Sequence, residues 1–440
     1  MLYNQLKRFD LLLHPVDVFP ENGAASSLIF CEPEESTLKT ALIVAEFNPY
    51  HNGHKYIAEK ARELTHADYV VALMSGDFVQ RGAPAIVDRY TRARMALSSG
   101  IDLVIALPTR YAVCSAEEYA MNALRIADSL GCIDFLFFGS ECGDIDRLTE
   151  AARILAFESN DYKERLRELL RQGLSFPRAR ALALPEYEDL LGTPNNILGI
   201  EYIKAILRGN YNIQPKTCMR VGVSHNSSEL SGRYASATAI REILYDQYQS
   251  EHIAVSMNKL SSFMPACAYD LLKVEYEKNA LVHENDLTLL LATALWEADS
   301  SRELTKYLSV SDTLANAAWS SRDKCLSFTE FAMLLKNRSL TYTHVSRALL
   351  HIALRIEKKP PSDFAHILGM RKETGPLVSR MTESSVIPVI MRPARELMDI
   401  DEGVRSLFNE EIHLSNLYNI LVSRRSGQVI QNEMSRRLIN

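Results

Sequence analysis

Two histidines bracket Asn-Gly in "NPYHNGH", residues 48–54, just after a short apolar run. An imidazole can ligate a metal, donate to a phosphate oxygen, or merely decorate a turn. A zinc site needs a third ligand, and none is evident nearby; His51 and His54 also lack the helical H-E-x-x-H spacing. A dinucleotide site needs G-x-G-x-x-G after the strand, and that pattern is absent. Phosphate fits better. Gly53 lets a phosphate approach the backbone closely, and a helix starting there points unsatisfied N–H groups outward. Imidazoles at 51 and 54 can then donate to oxygens on which charge builds, which suits a triphosphate attacked at its α-phosphorus.

Such a site requires a strand handing over to a helix in an open α/β sheet, where ligands sit beyond the carboxyl ends of the strands. The pattern supplies this. "TALIVAE" (40–46), "DYVVALM" (68–74), "DLVIALP" (102–108) and "DFLFFGS" (134–140) read as strands buried on both faces. Helix-period segments lie between them at His54–Leu64, Asp88–Ser98 and Ala116–Leu130. This alternation predicts a parallel sheet with right-handed crossovers. A later strand, "TCMRVGV" (217–223), leads through a polar loop to a helix beginning near Ser236. Past residue 247 the segments are helical, several preceded by Ser, Thr or Asp caps. No strand alternation returns until "SVIPVIM" (385–391). The expected fold is an open, parallel-sheet α/β domain over 38–247, followed by a mostly helical domain over 248–440.

At 440 residues, 47% hydrophobic and 24% charged, the chain reads as soluble and able to bury a sizeable core. A net charge of −6 excludes a globally basic surface, so a nucleic acid would have to be met by a local patch. Seven scattered cysteines without a C-x-x-C pair suggest free thiols in a reducing compartment. The apolar runs are too short to span a bilayer, and the N-terminus lacks a signal-peptide core. The cytoplasm is the expected location, with no membrane or protein partner indicated.

A second motif joins the first. "HNGH" after a strand, with "SATAIR" (236–241) opening a late helix, resembles the HxGH nucleotidyltransferase superfamily. From residue 38 onward the chain resembles, within it, the bacterial tRNA(Met) cytidine acetate ligase family. Six ordered blocks carry this: "VAEFNPYHNGH" (44–54), "MSGDFVQRGAPAIVDRYTRARMAL" (74–97), "GIDLVIALP" (100–108), "FFGSE" (137–141), "PNNILGIEY" (194–202) and "YASATAIR" (234–241). "ILGM" (367–370) fits too.

The resemblance implies a ligase that makes acetyl-adenylate and pyrophosphate from acetate and ATP, with Mg²⁺ expected on the ATP. The acetyl group then passes to N4 of the wobble cytidine (C34) of elongator tRNA(Met), giving N4-acetylcytidine. No enzymic nucleophile is required, since acetate and cytosine N4 are themselves the nucleophiles; catalysis is positioning and charge neutralisation. By similarity, His51 and His54 stabilise the α-phosphate and Arg241 binds the triphosphate. The family's nucleotide segment falls on Val44, Ala45, Glu46, Phe47, Asn48, Pro49, Tyr50, His51, Asn52, Gly53, His54, Lys55, Tyr56 and Ile57. Further ATP contacts fall on Gly139, Asn195, Arg220, Val221 and Ser236. Read without the resemblance, Gly139 is a strand-end turn glycine, Asn195 and Ser236 are helix caps, Arg220 is a solvated edge residue and Arg241 an ordinary surface residue. Whether protein side chains hold the Mg²⁺ stays open, and no metal ligands are assigned.

Asp77, Gln80 and Arg81 follow the second strand and are candidates for acetate or cytidine contacts, or else a self-satisfied loop. In the helical half, "KNRSLTYTHVSRALLHIALRIEKK" (336–359) offers Lys336, Arg338, His344 and Arg347 for tRNA phosphates, or else a solvated amphipathic helix. Residues 1–37 have no counterpart in the family; they read as a disordered arm or a start-site artefact, with Leu38 a natural beginning. Two rivals stand beside the ligase: a nucleotidyltransferase acting on a small phosphate ester, and a non-catalytic RNA-binding scaffold.

Overall fold

The computed structural model describes residues 38–220, 234–246, 253–338, 340–436 and 438–439. The expectations for 1–37 and for Val221 lie outside these residues. Leu38–Asn440 forms one compact unit. Within it the pattern change near residue 247 marks a shift from alternating to mainly helical chain.

Among the described residues the main sheet has the order β7-β6-β1-β2-β5-β8-β9. Its members are β1 (Thr40–Ala45), β2 (Tyr69–Ser75), β5 (Leu103–Leu107), β6 (Phe135–Ser140), β7 (Gln214–Met219), β8 (Ala365–Met370) and β9 (Val389–Ile390). A separate hairpin pairs β3 (Phe78–Val79) with β4 (Ala83–Pro84). β1 lies parallel to β2 on one side and to β6 on the other. The chain order reverses at β1, which makes its carboxyl end the switch point where a crevice opens.

The strands expected at 40–46, 68–74, 102–108 and 134–140 are present with ends moved by a residue or so, the segment 385–391 shortens to Val389–Ile390, and the strand expected at 217–223 shifts. It spans 214–219 instead of 217–223, and 221–223 lie outside the described residues. The sheet also departs from all-parallel. β8 runs antiparallel to β5, with a register shift between Val104 and Ile105. It enters from the helical half and not through a βαβ crossover, so handedness does not force it parallel. Its sequence "AHILGM" is a short apolar run without alternation, because both its faces are covered.

Strand side chains alternate between two cores. Leu42, Val71, Leu73, Leu103 and Ile105 pack toward the helices Ala116–Ser129, Ile145–Ala156 and Pro194–Gly209. Ala41, Ile43, Val70, Ala72 and Val104 face the opposite side, against α1 (Asn52–Thr65) and α2 (Arg89–Leu97). A third core joins the helical half around Leu291, Phe328, Leu349 and Tyr418.

Two buried arginines brace the strand ends. Arg92 donates to the carbonyls of Val87 (3.0 Å), Glu46 (2.7 Å) and Ser75 (3.0 Å), and to that of Gly76. It ties α2 to the carboxyl ends of β1 and β2, and the carbonyl oxygens it meets offset the burial of its charge. Arg89 pairs with Glu433 and lies 3.7 Å from Asp77 and 3.9 Å from Glu411, on the Glu402–Ser426 helix. The C-terminal residues are thereby fastened to the α/β layer.

Candidate active site

The first turn is shaped by its own side chains. Phe47 adopts φ +48° and packs edge-on to Tyr50 and His54, at centroid distances of 4.8 and 5.0 Å. Asn48 Oδ1 accepts from Ile86 N–H (2.8 Å) and Tyr50 Oη donates to Ser99 O (3.0 Å), so the loop is anchored on both flanks. His51 is the N-cap of α1. Its Nδ1 accepts from Gly53 N–H at 3.0 Å, while His54 Nδ1 accepts from His51 N–H at 3.2 Å. The histidines thus form a reciprocal capping box, built from imidazoles where Ser and Glu are usual. Their rings stack at 3.8 Å. With Nδ1 accepting in both, the proton of each neutral ring sits on Nε2.

The rings border a cavity of about 410 Å³ over the carboxyl end of β1. Arg241, only 7% exposed, donates to Asn48 O (2.7 Å) and Thr238 Oγ1 (3.2 Å). Arg81 reaches the same hydroxyl at 3.5 Å. Burial first, and then the charge of Arg81, hold Arg241 below its ordinary value. It remains a cation, so the shift reflects the cost of burying it beside a like charge, a cost an anion would offset. Ser236 Oγ accepts from Ala239 N–H (3.0 Å), capping the Ala237–Asp246 helix at the cavity wall.

At the β6 end, Arg220 donates to Asn195 Oδ1 (2.9 Å) and Asn195 Nδ2 donates to Glu141 Oε1 (2.6 Å). Asn195 lies in the first turn of the Pro194–Gly209 helix and is not its cap, which is Thr193. Gly139 has a specific reason to be glycine. A Cβ there would stand 2.7 Å from Ile57 Cδ1 and 2.9 Å from Arg220 Cγ.

Of the sequence-derived ATP residues, Val44, Ala45, Glu46, Phe47, Asn48, His51, His54, Ile57, Gly139, Asn195, Arg220, Ser236 and Arg241 line the cavity. Other members of 44–57 support the turn: Tyr50 lies buried beneath it, Asn52 bonds to Ser262 and Phe263 carbonyls, Lys55 faces Glu59 and Tyr56 packs on Tyr234. Gln80 and Arg81 line the cavity, whereas Asp77 is sequestered with Arg89 and Ser415. Lys336 and Arg338 are exposed and His344 half-buried; Arg347 turns into the cavity, apart from that basic surface.

Tyr119, Tyr202 and Thr238 also line it and were not singled out from sequence. A signal existed for one of them: Asn195, Leu198 and Tyr202 recur on one helix face. Among the described lining residues Arg81, Arg220, Arg241 and Arg347 stand against a single carboxylate, Glu46. The cavity is built for an anion. No group of three or more His, Cys, Asp or Glu converges to hold a metal among the described residues.

Residues 38–433 match the model of the HIGH Nucleotidyl Transferase family. A tRNA(Met) cytidine acetate ligase of Halothermothrix orenii is 34% identical over 415 residues, covering 88% of this chain and 96% of that protein. One of Caldicellulosiruptor bescii is 39% identical over 323 residues, covering 72% and 77%. The crystal structure of apo Thermotoga maritima TmcAL superposes with a TM-score of 0.82 at 27% identity, over 91% of this chain and 99% of that one. The same protein bound with alpha-thio ATP gives 0.79 at 29% identity, over 92% and 100%.

Proposed function

This chain belongs to the tRNA(Met) cytidine acetate ligase family of HIGH nucleotidyl transferases, and we propose that it activates acetate with ATP and acetylates N4 of the wobble cytidine of elongator tRNA(Met). The reading is carried by the stacked His51–His54 pair at the α1 N-terminus, with Arg241 in the same cavity.

ATP lies with its α-phosphate before the two Nε2–H donors and the helix N-terminus, and with its β- and γ-phosphates toward Arg241 and Arg81. The nucleoside extends to the β6 end, over Gly139 and toward Asn195 and Arg220. A carboxylate oxygen of acetate attacks the α-phosphorus, the bond to the β-bridging oxygen breaks, and pyrophosphate leaves with the electron pair. Charge developing on the phosphoryl oxygens is met by donors already fixed by the capping box, so little reorganisation is needed. Cytidine N4 then attacks the acetyl carbon; the bond to AMP breaks, AMP leaves with the pair, and the amine loses a proton to water. Among the described residues Glu46 is the one carboxylate lining the cavity, and the ion that accompanies ATP is assigned chiefly to its phosphates. Lys336, Arg338 and His344 stay the proposed tRNA contacts, while Arg347 lies on the cavity. No described helix is long and apolar enough to cross a membrane, and the cytoplasm, where tRNA is met, is the proposed location.

ATP–pyrophosphate exchange, measured with and without acetate, tests this reading. Strict acetate dependence supports it. Exchange indifferent to acetate would point to a nucleotidyltransferase acting on a small phosphate ester, and silence with acetate and tRNA present would point to a non-catalytic scaffold.

A further inference from the structure

The cavity contains more cationic capacity than a triphosphate at His51, His54, Arg241 and Arg81 uses. Arg347 comes from the Tyr342–Leu354 helix, half-buried, and points into the cavity. Its hydrogen bond is a long one, from Nη1 to Gln80 O at 3.5 Å. Among the described residues it makes no ion pair; Glu118, whose charge it feels, is committed to Ser115 in a capping box. A guanidinium withdrawn from water without a carboxylate is costly unless a ligand supplies one.

The neighbouring loop shows the same lack. Among the described residues Gln80 Nε2 is buried with no hydrogen-bond partner, although it lines the cavity. So is the hydroxyl of Tyr202, a residue only 2% exposed. Buried donors of this kind are normally satisfied. The placement of Arg347 is not accidental either. Gly82, at φ +85°, lets the loop lie backbone to backbone on this helix, where a Cβ would meet Arg347 N at 2.4 Å. Ser346 Oγ locks it by donating to Gly82 O at 2.9 Å.

Glu46 stands on the same side, its Oε1 accepting from Gln80 N–H at 2.9 Å. That charge disfavours a multiply charged phosphate chain and leaves room for one monovalent anion on Arg347. Ala116 and the rings of Tyr119 and Tyr202 give this end an apolar wall. The ligand class is therefore a short monocarboxylate.

We propose that Arg347 and Gln80 form the acetate subsite: the guanidinium and the Gln80 amide hold one carboxylate oxygen, the methyl group faces Ala116 and Tyr119, and the other oxygen is left to attack the α-phosphorus. This rests on the acetate-ligase reading above and assigns it an acyl pocket.

The test is acetate-dependent ATP–pyrophosphate exchange in the full-length protein, with KM measured separately for acetate and ATP. Arg347→Met is expected to raise KM for acetate about 10- to 100-fold, the loss of a charge-assisted hydrogen bond, while KM for ATP changes less than about twofold. Arg347→Lys is expected to recover part of the loss. Gln80→Leu provides a second variant, since Gln80's structural bonds are made by its backbone; it is expected to raise the acetate KM alone. An unchanged acetate KM in Arg347→Met or Gln80→Leu, or a rise in the KM for tRNA instead, overturns the subsite. If the wild-type protein shows no acetate-dependent exchange, the ligase reading itself has failed; the two failures are read from different samples.

Discussion

His51 and His54 are joined twice: the His54 ring accepts from the His51 N–H at 3.2 Å, and the two imidazoles stack at 3.8 Å. Their Nδ1 atoms accept within the turn, so the proton of each neutral ring sits on Nε2. The structural role and the proposed chemistry fall on the same two rings, and substitutions separate them.

His54→Ala is expected to lower exchange by at least about 10²-fold, the usual cost of a lost transition-state donor. It also removes half a capping box, for about 1 kcal/mol of stability. His54→Glu restores a side-chain acceptor for the His51 N–H, as Glu does in an ordinary capping box, so stability should recover while activity does not. Thermal unfolding beside the exchange assay checks this; an active His54→Ala enzyme sinks the assigned role.

At Gly139, alanine has no room between Ile57 and the Arg220 stem. The substitution should push Arg220 away from Asn195, raising KM for ATP several-fold and costing about 1–3 kcal/mol by overpacking. A variant with unchanged ATP affinity would show that Arg220 does not touch the nucleotide.

Asp77 is legible from sequence as a crevice residue, yet it is spent inside the protein on Arg89 and Ser415. Asp77→Asn should therefore act on stability, by about 3–5 kcal/mol for breaking a buried ion pair. Kinetics at a temperature where the variant is folded should retain the wild-type KM for acetate. A selective loss of acetate binding would return Asp77 to the site.

Lys336→Glu with Arg338→Glu places two negative charges on an exposed surface. If this face meets tRNA phosphates, KM for tRNA rises and the salt dependence of binding weakens by about two counterions. Acetate-dependent exchange without tRNA should be unchanged, which separates docking from activation.

The stability profile against pH has two opposed contributions. Burial pushes His351 down to about 4, with its Nδ1 2.7 Å from Leu308 O. Its folded value lies below the unfolded one near 6.5, so its stabilisation is present above 6.5 and lost as pH falls toward 4, up to ~3 kcal/mol. Burial pushes Glu411 up to about 7, against the opposing pull of Arg89 and Thr109. That contribution is present below about 4.5 and lost as pH rises through 7. His351→Gln should flatten the acid limb of a urea-unfolding series and Glu411→Gln the neutral limb; slopes unchanged in both variants would contradict the assignment.

How much of this was legible follows from the range of each interaction. The strands β1, β2, β5 and β6, the helices between them and the turn at His51 are local patterns, because a residue's periodicity and a cap's partners lie within a few positions. The HNGH and SATAIR motifs were visible for the same reason: each is a helix N-terminus with its own donors and acceptors. β8 was not visible, since an apolar strand with both faces covered has no alternation, and its antiparallel pairing to β5 is set by contacts some 260 positions away in sequence.

By itself the sequence determined the α/β pattern, the two imidazoles at the start of the first helix and the second motif that accompanies them. Only the tertiary structure decided which polar residues face the cavity. Asp77 and Gln80 sit three apart in one loop, yet one turns into an ion cluster with Arg89 and the other into the cavity. Arg347, from a basic stretch that reads as surface, is carried to the cavity by a helix laid against Gly82. Periodicity records which positions are apolar, but whether a charged side chain meets water, a counter-ion or a substrate depends on what the rest of the chain packs against it.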